Sequence, residues 1–198
     1  MSPQDMRATL IARTIQVIAD EGLDKTTTKS IVSGTGINEA YIYRLFESKE
    51  DLLSKAFDAL DNELVEQALQ HLSAMYLPNL DLETRCRLYF FPMWRFLLGN
   101  REKCVAYIHY YYSPYFRRLS SESHRRRYNT LLEKFKGAFI DEADVWMILN
   151  HILDVMLCFA IRAHTGEMPT DDSYAEHVFR VTYAAVKQYF EPDYESEV

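Results

Sequence analysis

The chain has 198 residues, of which 48% are hydrophobic and 26% charged, and its net charge is −7. That length holds one or two domains with a real core, and the balance excludes a disordered chain. No run approaches the roughly 18 uninterrupted apolar residues of a membrane span, and residues 1–5 (MSPQD) lack a signal-peptide pattern, so a cytoplasmic protein without membrane contact is expected.

Ala8, Ile11, Ala12, Ile15, Ile18 and Ala19 recur at helical spacing and run into Asp20-Glu21-Gly22-Leu23. Gly22 suits the position just past a helix end, with Leu23 folding back as its apolar partner. Thr26-Thr27-Thr28 supply hydroxyls for an N-cap, because the first backbone N–H groups of a helix have no partner inside it. Ile31 and Val32 make the apolar side of a short helix, which Gly34 and Gly36 end in a tight turn. Asn38 caps the next helix, with Ile42, Leu45 and Phe46 inward and Ala40, Tyr41 and Arg44 outward. A short helix presenting small, aromatic and cationic groups is what the DNA major groove admits, so residues 26–49 read as a helix-turn-helix. Ser48 opens a fourth helix, Asp51 standing where a capping-box acid belongs, and Leu53, Phe57, Leu60, Leu64, Ala68 and Leu72 continue it as a long stripe.

Beyond this, helices are expected over 82–99 (with a kink at Pro92), 101–112, 123–139, 142–165 and 172–190, the last closed by Pro192 and an acidic tail. Residues 115–123 read as a connection or short helix. The total is an all-α chain of about nine helices without repeats or β patterning. Helix 142–165 is apolar on nearly all sides: Val145, Leu149, Ile152, Met156 and Phe159 make one stripe, Trp146, Leu153, Leu157 and Ile161 another. Such a helix must be covered nearly all round. With Val178, Val181, Ala184, Ala185 and Tyr189 on 172–190, it suits a four-helix contact doubled by a two-fold axis.

Ile15, Ile18, Glu21-Gly22, Thr27-Thr28, Ile31, Gly36-Ile37, Tyr43, Phe46, Ser48-Lys49-Glu50 and Leu52-Leu53 together make the chain resemble the TetR/AcrR family of bacterial transcription regulators over residues 7–57. The resemblance implies a helix-turn-helix DNA-binding domain (residues 1–50) followed by a ligand-binding and dimerisation bundle (51–198), with homodimers formed through 142–165 and 172–190. It also implies a ligand-responsive regulator of transcription, usually a repressor that a small molecule releases from a palindromic operator. The chain departs from the family where Ala40-Tyr41 replaces a small pair, often Gly-Thr, where Leu45 replaces a common His, and where Val32 replaces Ala. Glu39 sits at the start of the recognition helix, where its charge suits the helix dipole, though a carboxylate there can also accept from cytosine N4. The residues expected to touch double-stranded DNA are Thr28, Lys29, Asn38, Ala40, Tyr41, Tyr43, Arg44 and Lys49.

Charge is unevenly spread. Residues 1–60 carry seven Lys/Arg against nine Asp/Glu, residues 85–136 twelve against three, and residues 137–198 three against twelve. A reader domain that is not basic must hold phosphates through a few placed donors. The basic run Arg117-Arg118 and Arg125-Arg126-Arg127 reads either as a nucleic-acid or acidic-ligand site or as a solvated face opposite the acidic third. Phe90, Trp94, Tyr107, Tyr110 and Tyr111, with Met147 and His151, are the candidate walls of a pocket for an apolar or aromatic effector, each of them alternatively ordinary core. Cys86, Cys104 and Cys158 are odd in number and lack a CxxC, which suits free thiols in a reducing compartment. The six histidines show no metal spacing, and with no P-loop, GxGxxG, GxSxG or HExxH neither a cofactor nor an enzyme activity is expected. A ligand- or protein-interaction module that has lost DNA binding is the alternative.

Overall fold

The computed structural model describes residues 2–135 and 137–191; Met1, Pro192 and the acidic tail lie outside them. Nine α-helices run in order among the described residues: α1 (Pro3–Glu21), α2 (Thr28–Val32), α3 (Ile42–Leu45), α4 (Lys49–His71), α5 (Leu82–Gly99), α6 (Arg101–Tyr111), α7 (Ser121–Lys134), α8 (Val145–His164) and α9 (Asp172–Val186). The turns Glu39–Tyr41, Leu72–Tyr76 and Lys187–Tyr189 are 3₁₀, and Phe116–Ser120 is a turn of π-helix leading into α7. The all-α reading of the sequence is borne out. Helix α5 continues through Pro92.

The N-terminal caps form as the hydroxyl positions require. Ser2 and Asp5 close a capping box on α1, Thr27 and Ser30 one on α2, and Ser48 accepts from the Asp51 N–H at 3.1 Å at the start of α4. Helix α1 buries a row different from the Ile11/Ile15 stripe: Leu10, Thr14, Val17, Ile18 and Ala19 are buried, while Ile11 and Ile15 are half-exposed. Thr14 can lie in that row because its hydroxyl donates to the Leu10 carbonyl at 2.7 Å, leaving only its methyl to be packed.

By packing, the chain divides into two units. Unit one is Met1–Glu63 with Glu102–Arg126, and unit two is Leu64–Arg101 with Arg127–Val198. Residues 102–126 therefore pack with the N-terminal helices, although a break at residue 50 separates the expected functions. The reason is the face that α4 offers. Phe57 stacks on Tyr110 at 4.8 Å and lies 5.2 Å from Tyr107 and 5.4 Å from Phe116. Beside it runs a row of polar pairs: the buried pair Ser54 with Ser120 (3.1 Å), the half-buried Ser123 donating to Asp58 (3.1 Å), and the buried pair His124 Nδ1 with Asp61 Oδ1 (2.9 Å). Polar groups buried in this way must be matched, and residues 102–126 supply partners for them.

Unit two packs α5, α8 and α9 with the later parts of α4 and α7. Phe90 meets Trp94 and Phe179 at 6.1 and 5.4 Å, and the Arg87 guanidinium lies 4.5 Å over the Phe179 ring while pairing with Glu176. An isolated antiparallel bridge joins Phe139 to Phe190, whose rings approach to 4.5 Å.

Gly36 has φ +70° with open space around its Cα, so a Cβ there is opposed by the backbone alone. Gly36→Ala should cost about 1–2 kcal/mol, a drop of roughly 2–4 °C in melting temperature per kcal/mol, read by circular dichroism; an unchanged midpoint would show that the α2–α3 turn does not need this conformation.

Candidate DNA-reading surface and apolar cavity

In unit one the recognition segment is a 3₁₀ turn, Glu39–Tyr41, running into α3. Asn38 tightens it: its side-chain oxygen accepts from the Ala40 N–H at 2.9 Å, while its carbonyl accepts from the Tyr41 N–H at 2.9 Å. Ile42 and Phe46 drop into a cluster with Leu10, Ile31, Ile37 and Leu52. At the other end, Arg7 from α1 donates to the Leu45 carbonyl at 2.6 Å and stacks 4.4 Å over the Phe46 ring. That bond occupies a terminal helix carbonyl that otherwise has no partner. Arg7 is thus a positioning residue that sequence spacing did not reveal, since its contacts lie 38 residues away.

The expected DNA-facing residues divide by exposure. Lys29, Asn38, Ala40 and Arg44 are exposed, Tyr43 is 61% exposed, and Thr28 and Lys49 are half-exposed. Tyr41, expected outward, leans against the domain core, and the Arg44 guanidinium sits 5.2 Å over its ring. Tyr41 thereby acts as a shelf for Arg44 as well as a surface group. The Thr28 hydroxyl donates to the Glu39 carboxylate. This bond joins α2 to the start of the recognition segment and gives Glu39 a structural task.

Unit two holds an apolar cavity of about 100 Å³ that is partly open to solvent. Leu64, Val65 and Ala68 of α4 line it with Cys86, Tyr89, Phe90 and Met93 of α5 and Tyr128, Leu131 and Phe135 from α7 and its end. Leu149, Ile152, Leu153 and Met156 of α8 and Phe179, Thr182, Tyr183 and Val186 of α9 complete most of the wall. No Asp, Glu, Lys, Arg or His is among the lining residues. The polar atoms are a thiol and a few hydroxyls, and the Thr182 hydroxyl is already donated to the Val178 carbonyl at 2.8 Å. A charged molecule entering this space would lose its hydration without a counter-charge.

Of the residues expected around a ligand, Phe90 lines the cavity, and the others lie elsewhere. Trp94 is buried beside it, while Tyr107 and Tyr110 are core around Phe57 in unit one, with Tyr111 stacked on Tyr107 at 5.7 Å. Met147 is 48% exposed and His151 is exposed, both on the outer side of α8. Sequence crowding put these aromatics together; the helix faces separate them. The lining residues Tyr89, Tyr128 and Tyr183 could have been found only by knowing which faces of α5, α7 and α9 converge. Among the described residues no group of three or more metal-ligating side chains forms.

Burial pushes the Cys86 thiol up to about 12 and the Cys104 thiol likewise to about 12, and it raises the Tyr89 hydroxyl as well. Both thiols are therefore protonated at neutral pH and poor nucleophiles. In native protein at pH 8, Cys86 and Cys104 should stay unreactive toward a disulfide reagent such as Ellman's until denaturant is added; their fast loss in the native protein would contradict the packing.

Residues 10–56 match the family model described as bacterial regulatory proteins, tetR family. No match is found among curated protein sequences. Solved structures with the same fold include a TetR-family transcription regulator from Marinobacter aquaeolei VT8, at 20% identity and a TM-score of 0.76 over 93% of this chain and 98% of that one. Another is a TetR-like transcriptional regulator from Rhodococcus sp. RHA1, at 17% identity and a TM-score of 0.66 over 94% and 99%. A third is the fatty acid degradation regulator FadR from Bacillus halodurans, at 18% identity and a TM-score of 0.66 over 88% and 96%. At these identities the likeness is one of fold.

Proposed function

We propose that the chain, whose residues 10–56 match the tetR family model, is a dimeric transcription regulator that holds palindromic DNA and releases it when an uncharged apolar molecule fills the unit-two cavity. The observation that carries the DNA reading is the recognition segment itself: a short helix fastened at both ends, with Lys29, Ala40, Tyr43 and Arg44 left at the surface. Base contacts fall to Ala40 and Arg44, supported by Asn38 and Tyr41, and phosphate contacts to Thr28, Lys29, Tyr43 and Lys49.

The cavity lining supports the ligand class: hydrocarbon and aromatic walls, hydroxyls to orient a polar end, and no charge. Release requires the effector to prefer the conformation that binds DNA poorly, and its effect is bounded by that preference. Repression is the direction that the family resemblance implies, with ligand-driven release then relieving a block.

A homodimer through α8 and α9 explains an otherwise uncovered surface. Helix α8 is long and apolar enough to cross a membrane, yet only 22% of its most apolar 18-residue window is buried within the chain. Met147 is 48% and Val181 71% exposed, beside the small exposed residues Ala184 and Ala185. A partner copy would cover this face, and two readers a helical turn apart would multiply the few bases one short helix can specify.

Fluorescence-anisotropy titration against DNA selected from the source genome tests the main reading. Saturable, sequence-specific binding with two chains per site is expected, with release on adding the neutral apolar effector. Tyr43→Phe combined with Lys49→Ala should weaken binding to all duplexes alike, and unaltered affinity would remove the phosphate roles. Val181→Asp together with Met147→Asp should yield a monomer by light scattering; a persistent dimer mass would place the interface elsewhere.

A further inference from the structure

The wall of the unit-two cavity holds one hydroxyl that the protein itself does not use. Tyr89 of α5 lines the cavity, and its ring meets Phe135 edge-on at 5.9 Å. Among the described residues nothing forms a hydrogen bond with its hydroxyl. The other lining hydroxyls differ. Thr182 donates its proton to the Val178 carbonyl at 2.8 Å. Tyr128 stands edge-on to Trp146, Tyr183 stacks on Phe179, and each has further interactions within the chain.

The state of Tyr89 decides what it can offer. Burial alone raises its hydroxyl, so at neutral pH the group is an O–H donor and not a phenolate. Cys86 lies one turn earlier on the same face of α5; burial holds it protonated too, as a weak S–H donor. This stretch of wall therefore offers donors and no charge. The matching ligand group is an acceptor. A carboxylate accepts strongly, but it would lose its hydration here with no cation among the lining residues. An alcohol or amine brings a donor of its own, which is costly to leave unsatisfied against hydrocarbon. A neutral carbonyl oxygen needs one donor and brings none.

Size sets the rest of the molecule. The cavity is about 100 Å³, and an apolar cavity of roughly 150 Å³ takes a benzene ring. Here the space is partly open to solvent, and Met75, Met93 and Met156 give it walls that adjust their rotamers to an occupant. A body of one ring, or a short chain, is the scale that fits.

We propose that this site takes an uncharged carbonyl compound of about one ring in size, a ketone, aldehyde or ester, and that Tyr89 selects it by donating to the carbonyl oxygen. This rests on the reading of the cavity as the effector site, and it gives that effector a chemical class and a specificity-determining residue.

The test uses three probes on the full chain without DNA: acetophenone, its hydrocarbon isostere α-methylstyrene, and benzoate. Affinities are read by ligand-observed NMR titration. Both neutral probes should bind and benzoate should bind more weakly than acetophenone. Tyr89→Phe keeps the ring and removes the hydroxyl, so it should lower the ratio of acetophenone to α-methylstyrene affinity about fivefold, the worth of one net hydrogen bond. Thr182→Val should leave that ratio unchanged, because the proton it removes is already donated to the backbone. Difference infrared spectra should show the carbonyl stretch of bound acetophenone at lower frequency in the unaltered chain than in Tyr89→Phe, a signature that a merely structural tyrosine would not produce. Circular dichroism of each variant verifies folding. A ratio and a carbonyl stretch unaffected by Tyr89→Phe, or benzoate binding more tightly than acetophenone, overturns the proposal while the cavity remains a ligand site. Absence of binding by both neutral probes overturns the proposal together with the cavity reading on which it rests.

Discussion

A helix of two turns has no stability of its own in water, because nucleation costs more than so few hydrogen bonds return. The recognition segment of this chain, residues 39–45, is that short, and everything around it acts to hold it. Ile42 and Phe46 are locked in the cluster with Leu10, Ile31, Ile37 and Leu52. Asn38 caps the front, Arg7 occupies the rear carbonyl, and Thr28 ties the side through Glu39. A DNA reader needs a rigid face more than a large one, since each misplaced side chain forfeits a contact whose geometry is bidentate or nothing.

Unit two meets the opposite requirement. Where the reader domain fills its interior, the second unit surrounds space with Leu, Ile, Met, Phe and Tyr side chains drawn from five helices. Cavities forfeit dispersion contacts along their walls, and an occupant that fills one restores those contacts. The same helices leave apolar surface on their outer side. Helix α8 thus has two apolar demands, Leu149 and Met156 toward the cavity and Met147 toward the surface, which explains its apolar character all round.

The charge pattern gains a structural sense from the way the units are composed. The segment 102–126 is distant in sequence from the reader but packs with it, held by hydroxyl, carboxylate and imidazole pairs that α4 alone cannot satisfy. An acidic reader and a basic middle are two parts of one body. Net charge counted along the sequence missed this, because a potential is set by distance in space.

Local features were legible in the residues. The caps at Thr27, Asn38 and Ser48, the glycine turn at Gly34 and Gly36, and the ends of α5 and α8 all follow from rules that act within a few positions, and those rules do not depend on the rest of the chain. So the helix-turn-helix and the all-α class were determined by sequence alone. Which aromatic residues shared a wall was not. Tyr107 and Tyr110 close on Phe57, Phe90 faces the cavity, and His151 faces out, because each depends on which helix faces converge. The same holds for Tyr41 leaning inward, for Thr14 replacing Ile15 in the buried row, and for Arg7 reaching across 38 residues. Spacing along a chain determines what one element can present; only the packing of elements decides what each presentation meets.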